Sequence, residues 1–128
     1  MFVDSRQLTN TPFESFDTQV KMLLIPSALA AGTFEGDAIE LPAAGYPCRA
    51  LFIQMTGAAV DNAVSSGYIE QANDGGGPWE TIATFTEDVS EDTIQKVYAT
   101  VTKQYVRYSS VVTGDDSPEI QSSAVVIF

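Results

Sequence analysis

The sequence predicts an all-β protein, an antiparallel two-sheet β-sandwich of the jelly-roll kind with about eight short strands. Apolar and polar residues alternate with a period of two from Thr18 to the C-terminus. Gly, Pro and Asx residues interrupt this alternation at roughly 8 to 12 residue spacing, as turns between short strands do. The chain has 128 residues, of which 45% are hydrophobic, enough for one packed domain. We assign residues 18–128 to this domain.

The strands are predicted in chain order, each bounded by turn residues. In the first strand, Val20, Met22 and Leu24 share one face before Pro26 ends the pattern. The strands that follow are predicted at residues 38–41, 49–56, 67–72, 80–86, 93–101, 105–113 and 119–128. The alternative for residues 90–96 is a single helical turn, because Ser90 is a favourable N-cap residue and acidic residues follow it. We expect the inter-sheet core to include these β-branched and leucine positions: Leu51, Ile53, Ile82, Val106, Val112, Val125 and Ile127.

The clearest local signal is a hairpin over residues 68–82. Alternating residues break at Asn73, Asp74 and three consecutive glycines, and the strand pattern resumes at Trp79. Asn-Asp-Gly favours the left-handed backbone that a hairpin tip requires. The turn should therefore point into solvent.

Residues 1–17 differ from the rest of the chain. They are polar, contain Pro12 and carry the isolated aromatics Phe2, Phe13 and Phe16 without a sustained period. A segment that cannot bury its own aromatics remains mobile or lies against something else. We interpret it as an extended N-terminal arm whose three phenylalanines contact a partner. The alternative is a terminal strand that completes the sandwich, and the sequence leaves both open.

The charge of the chain excludes several partners. Six Lys and Arg residues against seventeen Asp and Glu residues give a net charge of −11, and no base lies between Arg49 and Lys96. Phosphate backbones and anionic membranes repel such a surface, so we expect neither nucleic acid nor membrane as partner. No apolar run approaches the ~20 residues of a membrane-spanning helix.

No catalytic, cofactor or metal site is predicted, and the protein is not expected to be an enzyme. The chain lacks His, the commonest general base and transition-metal ligand. Acidic turns at residues 73–75, 87–92 and 115–116 lack the spaced oxygen ligands that calcium needs. Paired carboxylates in such runs are typical of solvated loops.

Two features have competing interpretations. Tyr68, Trp79, Tyr105 and Tyr108 are candidates for a sugar-binding surface, but positions 105 and 108 face opposite sides of one strand. Arg107 is a base inside a strongly strand-like segment. It can pair with an acid of the adjacent hairpin, Glu70 or Glu80, or reach across a subunit contact, and the crowding of acids favours the internal pair.

The order of several features resembles the small β-sandwich proteins that decorate or cement the capsids of tailed bacteriophages. The matching features are Glu70-Gln71-Ala72-Asn73-Asp74-Gly75, Trp79, Tyr105-Val106-Arg107-Tyr108, Gly114 and the last strand, Ala124 to Phe128. The resemblance covers roughly residues 24–128 and is one of pattern. The long N-terminal segment and the triple glycine before Trp79 depart from it.

This resemblance implies a structural function on the exterior of a virion. The expected partner is the major capsid protein, bound between or over capsomers by a homo-oligomer, a trimer or a dimer, that stabilises the mature head. Phe2, Phe13, Phe16 and Arg107 are the candidate contact residues. The alternatives are a head-completion or tail component, or a carbohydrate-binding adhesin module.

The lone Cys48 cannot form an intrachain disulfide, which fits synthesis in the reducing host cytoplasm. Residues 21–31 imitate the apolar part of a secretory signal. The acids Asp4, Glu14 and Asp17 before this run and the proline inside it argue against that function.

Overall fold

In a computed structural model of the chain, residues 20–41, 47–85 and 89–128 are described. These residues contain nine strands and no helix. The strands are β1 (Val20–Ala30), β2 (Gly32–Glu35), β3 (Ile39–Glu40), β4 (Cys48–Val60), β5 (Val64–Ala72), β6 (Glu80–Thr84), β7 (Ile94–Val101), β8 (Tyr105–Thr113) and β9 (Glu119–Ile127). The predicted arm, residues 1–17 with Phe2, Phe13 and Phe16, lies outside the described residues.

The strands form two antiparallel sheets. A four-stranded sheet has the order β1-β9-β4-β7, and a five-stranded sheet has the order β2-β8-β5-β6 with β3 also paired to β8. The prediction of an all-β, two-sheet antiparallel sandwich is thereby confirmed. A search of the described part for a helix able to span a bilayer found no candidate.

The predicted hairpin is β5–β6, in which Tyr68 pairs with Thr84 and Gln71 with Glu80. Its tip closes with a bond from the Gly77 amide to the Asp74 carbonyl, 2.9 Å long. Strand β8 has the predicted bounds. Strand β4 continues four residues beyond the predicted end, and β2 was missed because its four residues include one large apolar side chain, Phe34.

One alternative and one prediction about local structure were wrong, although the strand predicted at residues 93–101 is present as β7. The helical turn at residues 90–96 is absent, because Asp92 has a left-handed φ of 51° and strand β7 begins at Ile94. Strand β1 does not end at Pro26 but passes through it on the sheet edge, where the missing amide costs no ladder bond. The register shifts between Met22 and Leu24, so Leu24 is buried whereas Met22 is 41% exposed.

The core lies between the sheets. Its largest fully buried apolar side chains are Tyr108, Phe52, Leu41, Ile69, Ile120, Val101, Val106, Val112 and Val126. Val106 and Val112 are thus in the core as predicted, and Ile82 packs against it while partly exposed.

The other predicted core residues are misplaced. Leu51, Ile53, Val125 and Ile127 are only partly buried and lie on the opposite side of the four-stranded sheet from Phe52 and its neighbours. Successive strand residues point to opposite faces, but alternation does not say which set turns inward. In β4 both sets contain large apolar residues, and the inward set is the more polar one: Ala50, Phe52, Gln54 and Thr56.

A polar contact inside the core connects the two sheets. The hydroxyl of Tyr108 donates to Oε1 of Gln54, and both residues are fully buried. Burial raises the pKa of Tyr108, an effect that the hydroxyls of Ser65 and Ser110 partly offset. Gly67 of β5 leaves room for this contact, because a Cβ there would lie 1.8 Å from Gln54 Oε1 and 2.9 Å from the Tyr108 hydroxyl.

Replacing Gly67 with Ala should lower the free energy of unfolding by about 1 to 3 kcal/mol, because the added methyl group overpacks a closed space. The matched control is Gly75→Ala at the hairpin tip, where the nearest atom to a new Cβ is 3.9 Å away. Urea unfolding of the two variants measures the difference. Equal free energies of unfolding for the two variants would contradict the prediction and show that the Gln54 side chain can move away from the new methyl group.

Candidate functional site

The outer surface of the four-stranded sheet is apolar across all four strands. Its members alternate with the core residues of the same strands and form cross-strand rows. We call the following nine residues the apolar face: Val20, Met22, Leu51, Ile53, Met55, Ile94, Tyr98, Val125 and Ile127.

The register of the strands orders the apolar face into three rows. The first row is Val20, Ile127, Leu51 and Tyr98. The second row is Met22, Val125, Ile53 and the single charged member of these rows, Lys96. The third row is Ser123, Met55 and Ile94. Side chains opposite each other on neighbouring strands touch, so the rows form one continuous surface.

Exposure is greatest at the two edges of the apolar face. Val20 is 59% exposed on β1, and Ile94 and Tyr98 are 64% and 61% exposed on β7. The central residues on β4 and β9 are half-buried, because their neighbours on the same face shield them. A contiguous apolar surface of this kind marks an interaction site more often than scattered exposed residues do.

Two bases lie in or beside the apolar face. The guanidinium of Arg49 lies 5.4 Å from the centre of the Tyr98 ring, and Lys96 occupies the second row. Neither base forms an ion pair with an acid among residues 20–41, 47–85 and 89–128. This is unusual in a chain of net charge −11.

The outer surface of the five-stranded sheet is polar and internally paired. Arg107 Nε donates to Glu70 Oε1 at 2.7 Å, and its Nη2 lies 3.4 Å from Glu35 Oε2. Ser109 donates a second bond to the same Glu70 oxygen, and the Arg107 guanidinium lies 4.4 Å from the centre of the Trp79 ring. The internal pair expected from the crowded acids is thus present with Glu70. A partner contact through Arg107 stays a prediction.

A second polar contact lies beside this one on the same hairpin. Lys103 Nζ is 3.0 Å from Glu80 Oε1, and Gln71 Nε2 donates to that oxygen at 2.8 Å. The bond from Gln71 and then the contact with Lys103 lower the pKa of Glu80. Gln71 Oε1 also accepts from the backbone amide of Thr102, so it connects β5 to the turn after β7.

The four candidate aromatic side chains do not all lie on one surface. Tyr108 is fully buried in the core, Tyr105 of the same strand faces outward, and Trp79 is covered by Arg107. This agrees with the opposite facing of positions 105 and 108 expected from the sequence.

The acidic turns use their carboxylates for local hydrogen bonds. Asp74 accepts from the Gly76 amide, and Asp115 accepts from Asn62, both at 2.8 Å. Within the described ranges no three His, Cys, Asp or Glu residues come close enough to hold a metal ion. Residues 87 and 88 of the third acidic turn lie outside those ranges.

The apolar face is the feature that sequence reasoning missed. Its central residues were recognised as apolar strand positions but assigned to the core. The pattern of β4 favours the wrong facing, because the inward positions include Gln54 and Thr56 while the outward positions are the more apolar Leu51, Ile53 and Met55.

Comparison with known proteins identifies a shared fold. No protein-family model and no curated protein matches the sequence. Among solved structures, VP2 of infectious bursal disease virus in a subviral particle matches with a TM-score of 0.61 and 10% identity, over 88% of this chain and 33% of VP2. The Gx strain of that virus matches with a TM-score of 0.59 and 9% identity, over 88% of this chain and 32% of the matched chain. A VP2 point mutant in derived T=1 particles matches with a TM-score of 0.58 and 11% identity, over 88% of this chain and 31% of the matched chain.

These matches show that the sandwich has the β fold of a viral capsid protein. The chain spans about a third of the length of the VP2 chains it matches. At this level of identity the likeness concerns the fold alone.

Replacing Arg107 with Met should cost about 1 to 3 kcal/mol of stability, because it leaves the mostly buried carboxylate of Glu70 without its cation. The control is Lys103→Met, which breaks a pair whose side chains are 31% and 52% exposed and should cost less, because solvent screens the two charges. Denaturant unfolding of both variants measures these costs. A larger loss in the Lys103 variant would contradict this assignment of the two pairs.

Proposed function

We propose that the protein is a non-enzymatic structural component of a virion that decorates or cements the capsid. The observation that carries the proposal is the match of 88% of the chain to VP2 in a subviral particle, with the sandwich fold of a capsid protein. The finer assignment to a decoration protein of a tailed bacteriophage draws on the resemblance of the β5–β6 hairpin and of β8 and β9 to that group. The partner in this proposal is the major capsid protein.

The charge of the chain supports a position on the capsid exterior. With a net charge of −11, the protein would be repelled by a packaged nucleic acid on the inner side of a shell. On the outside, the same charge keeps the surface hydrated and limits non-specific association.

The apolar face supports a function in assembly. A surface of about 400 Å² gives a weak contact by itself, since stable interfaces bury roughly 800 Å² per partner. Repetition over a symmetric lattice makes such weak contacts sufficient, because the second contact of an attached copy forms at high effective concentration. A cement protein present in many copies has that property.

The proposal predicts a high copy number in purified particles of the virus that encodes this chain. Quantitative mass spectrometry against the major capsid protein should find copies on the order of hundreds, as lattice-wide binding requires. About a dozen copies or fewer would favour a head-completion or tail component. Complete absence from particles would overturn a virion function and favour the adhesin alternative.

A further inference from the structure

The apolar face is too small for a stable face-to-face dimer and has the size of an extended segment. Strands about 4.8 Å apart and rows about 6.8 Å apart give it a side of roughly 20 Å, or about 400 Å². A stable interface buries about 800 Å² on each partner. A face-to-face pair would also bring Arg49 and Lys96 of one copy towards the same bases of the other.

The N-terminal segment, residues 1–19, has the complementary chemistry. It carries six large apolar residues, which are Met1, Phe2, Val3, Leu8, Phe13 and Phe16. It also has three acids, Asp4, Glu14 and Asp17, against one base, Arg6, a net charge of −2. The bases next to the apolar face, Arg49 and Lys96, have no acid partner among the described residues. Opposite charges of this kind select and orient a partner.

The direction of β1 favours a face on another molecule. The strand runs from Val20 in the first row of the apolar face towards Ala30, so the chain before it leaves from the border of that face. Residues 13–19 contain neither Gly nor Pro, the residues that most strongly mark a reversal. When extended, Phe16 and Phe13 reach up to about 13 and 23 Å beyond Val20.

We propose that the N-terminal segment of one copy lies on the apolar face of a neighbouring copy. Phe16 packs on the rows formed by β9, β4 and β7, while Glu14, on the same side of the extended segment, lies near Arg49 and Lys96. Each copy offers one segment and one face. The contact is therefore either reciprocal within a dimer or head-to-tail within a closed ring.

A complementation experiment tests this exchange in solution. One chain lacks residues 1–19 and keeps only the apolar face. The other chain is full-length and carries Ile94→Asp and Tyr98→Asp at two exposed positions on the edge strand β7. These changes disable its apolar face and leave its N-terminal segment intact. Analytical ultracentrifugation should find the wild type self-associated, each altered chain monomeric, and their equimolar mixture associated. Both altered chains should keep the melting temperature of the dilute wild type, because neither change touches the core.

The matched control is Val60→Asp, which changes a valine 52% exposed at the far end of β4, opposite Glu119 and outside the apolar face, and should leave self-association unchanged. A labelled peptide of residues 1–19 should bind the truncated chain. The double change on β7 should weaken this binding by roughly tenfold or more, as loss of an aromatic anchor does.

Three results would overturn the proposal. The first is a monomeric wild type at about 1 mM, where a contact of millimolar Kd is half formed. The second is a truncated chain that still dimerises, which indicates face-to-face association. The third is a truncated chain that loses stability while the mixture stays monomeric, which places the segment on its own molecule. No shell is present, so failure here leaves the copy-number test of the proposed function intact.

Discussion

The side chain of Phe52 points into the core because of the way β4 packs against β5 and β8 of the opposite sheet. The same packing determines which residues form the outer surface of the four-stranded sheet. Gln54 of β4 accepts from Tyr108 of β8 in the space left by Gly67 of β5. A buried polar group needs its partner, so a shift of β4 by one residue would break this bond and move Phe52 out of the core. The same contact therefore fixes Leu51, Ile53 and Met55 on the outside.

The two outer surfaces of the sandwich consequently have opposite chemistry. On the five-stranded sheet, Arg107 is held by Glu70, Glu35 and Trp79, so its charge is already satisfied within the molecule. On the four-stranded sheet, a continuous apolar surface lies beside two bases that lack acid partners among the described residues. The first surface suits contact with water, and the second suits contact with protein.

Much of the fold could be predicted because turn chemistry is local. The Asn73-Asp74-Gly75 turn placed the β5–β6 hairpin, and the Tyr105–Thr113 strand was predicted with its final bounds. Which side of β4 and β9 points into the core could not be predicted. On each strand both sets of alternating residues contain apolar side chains, and only tertiary packing decides between the two sets. Places where a strand turns its more apolar set outward are expected at functional surfaces, where sequence and core packing conflict.

The most direct test of the account is a photocrosslink from the N-terminal segment. A benzophenone derivative of phenylalanine at position 16 retains the aromatic character of Phe16 and reacts with whatever lies against it. Chains of two isotopic compositions are mixed before irradiation, so that mass spectrometry separates links within a molecule from links between molecules. If the segment lies on a neighbouring copy, links form between molecules and end on Leu51, Ile53, Tyr98 or their neighbours in the apolar face. Links confined to one molecule, or links that end on the outer surface of the five-stranded sheet, would contradict this placement.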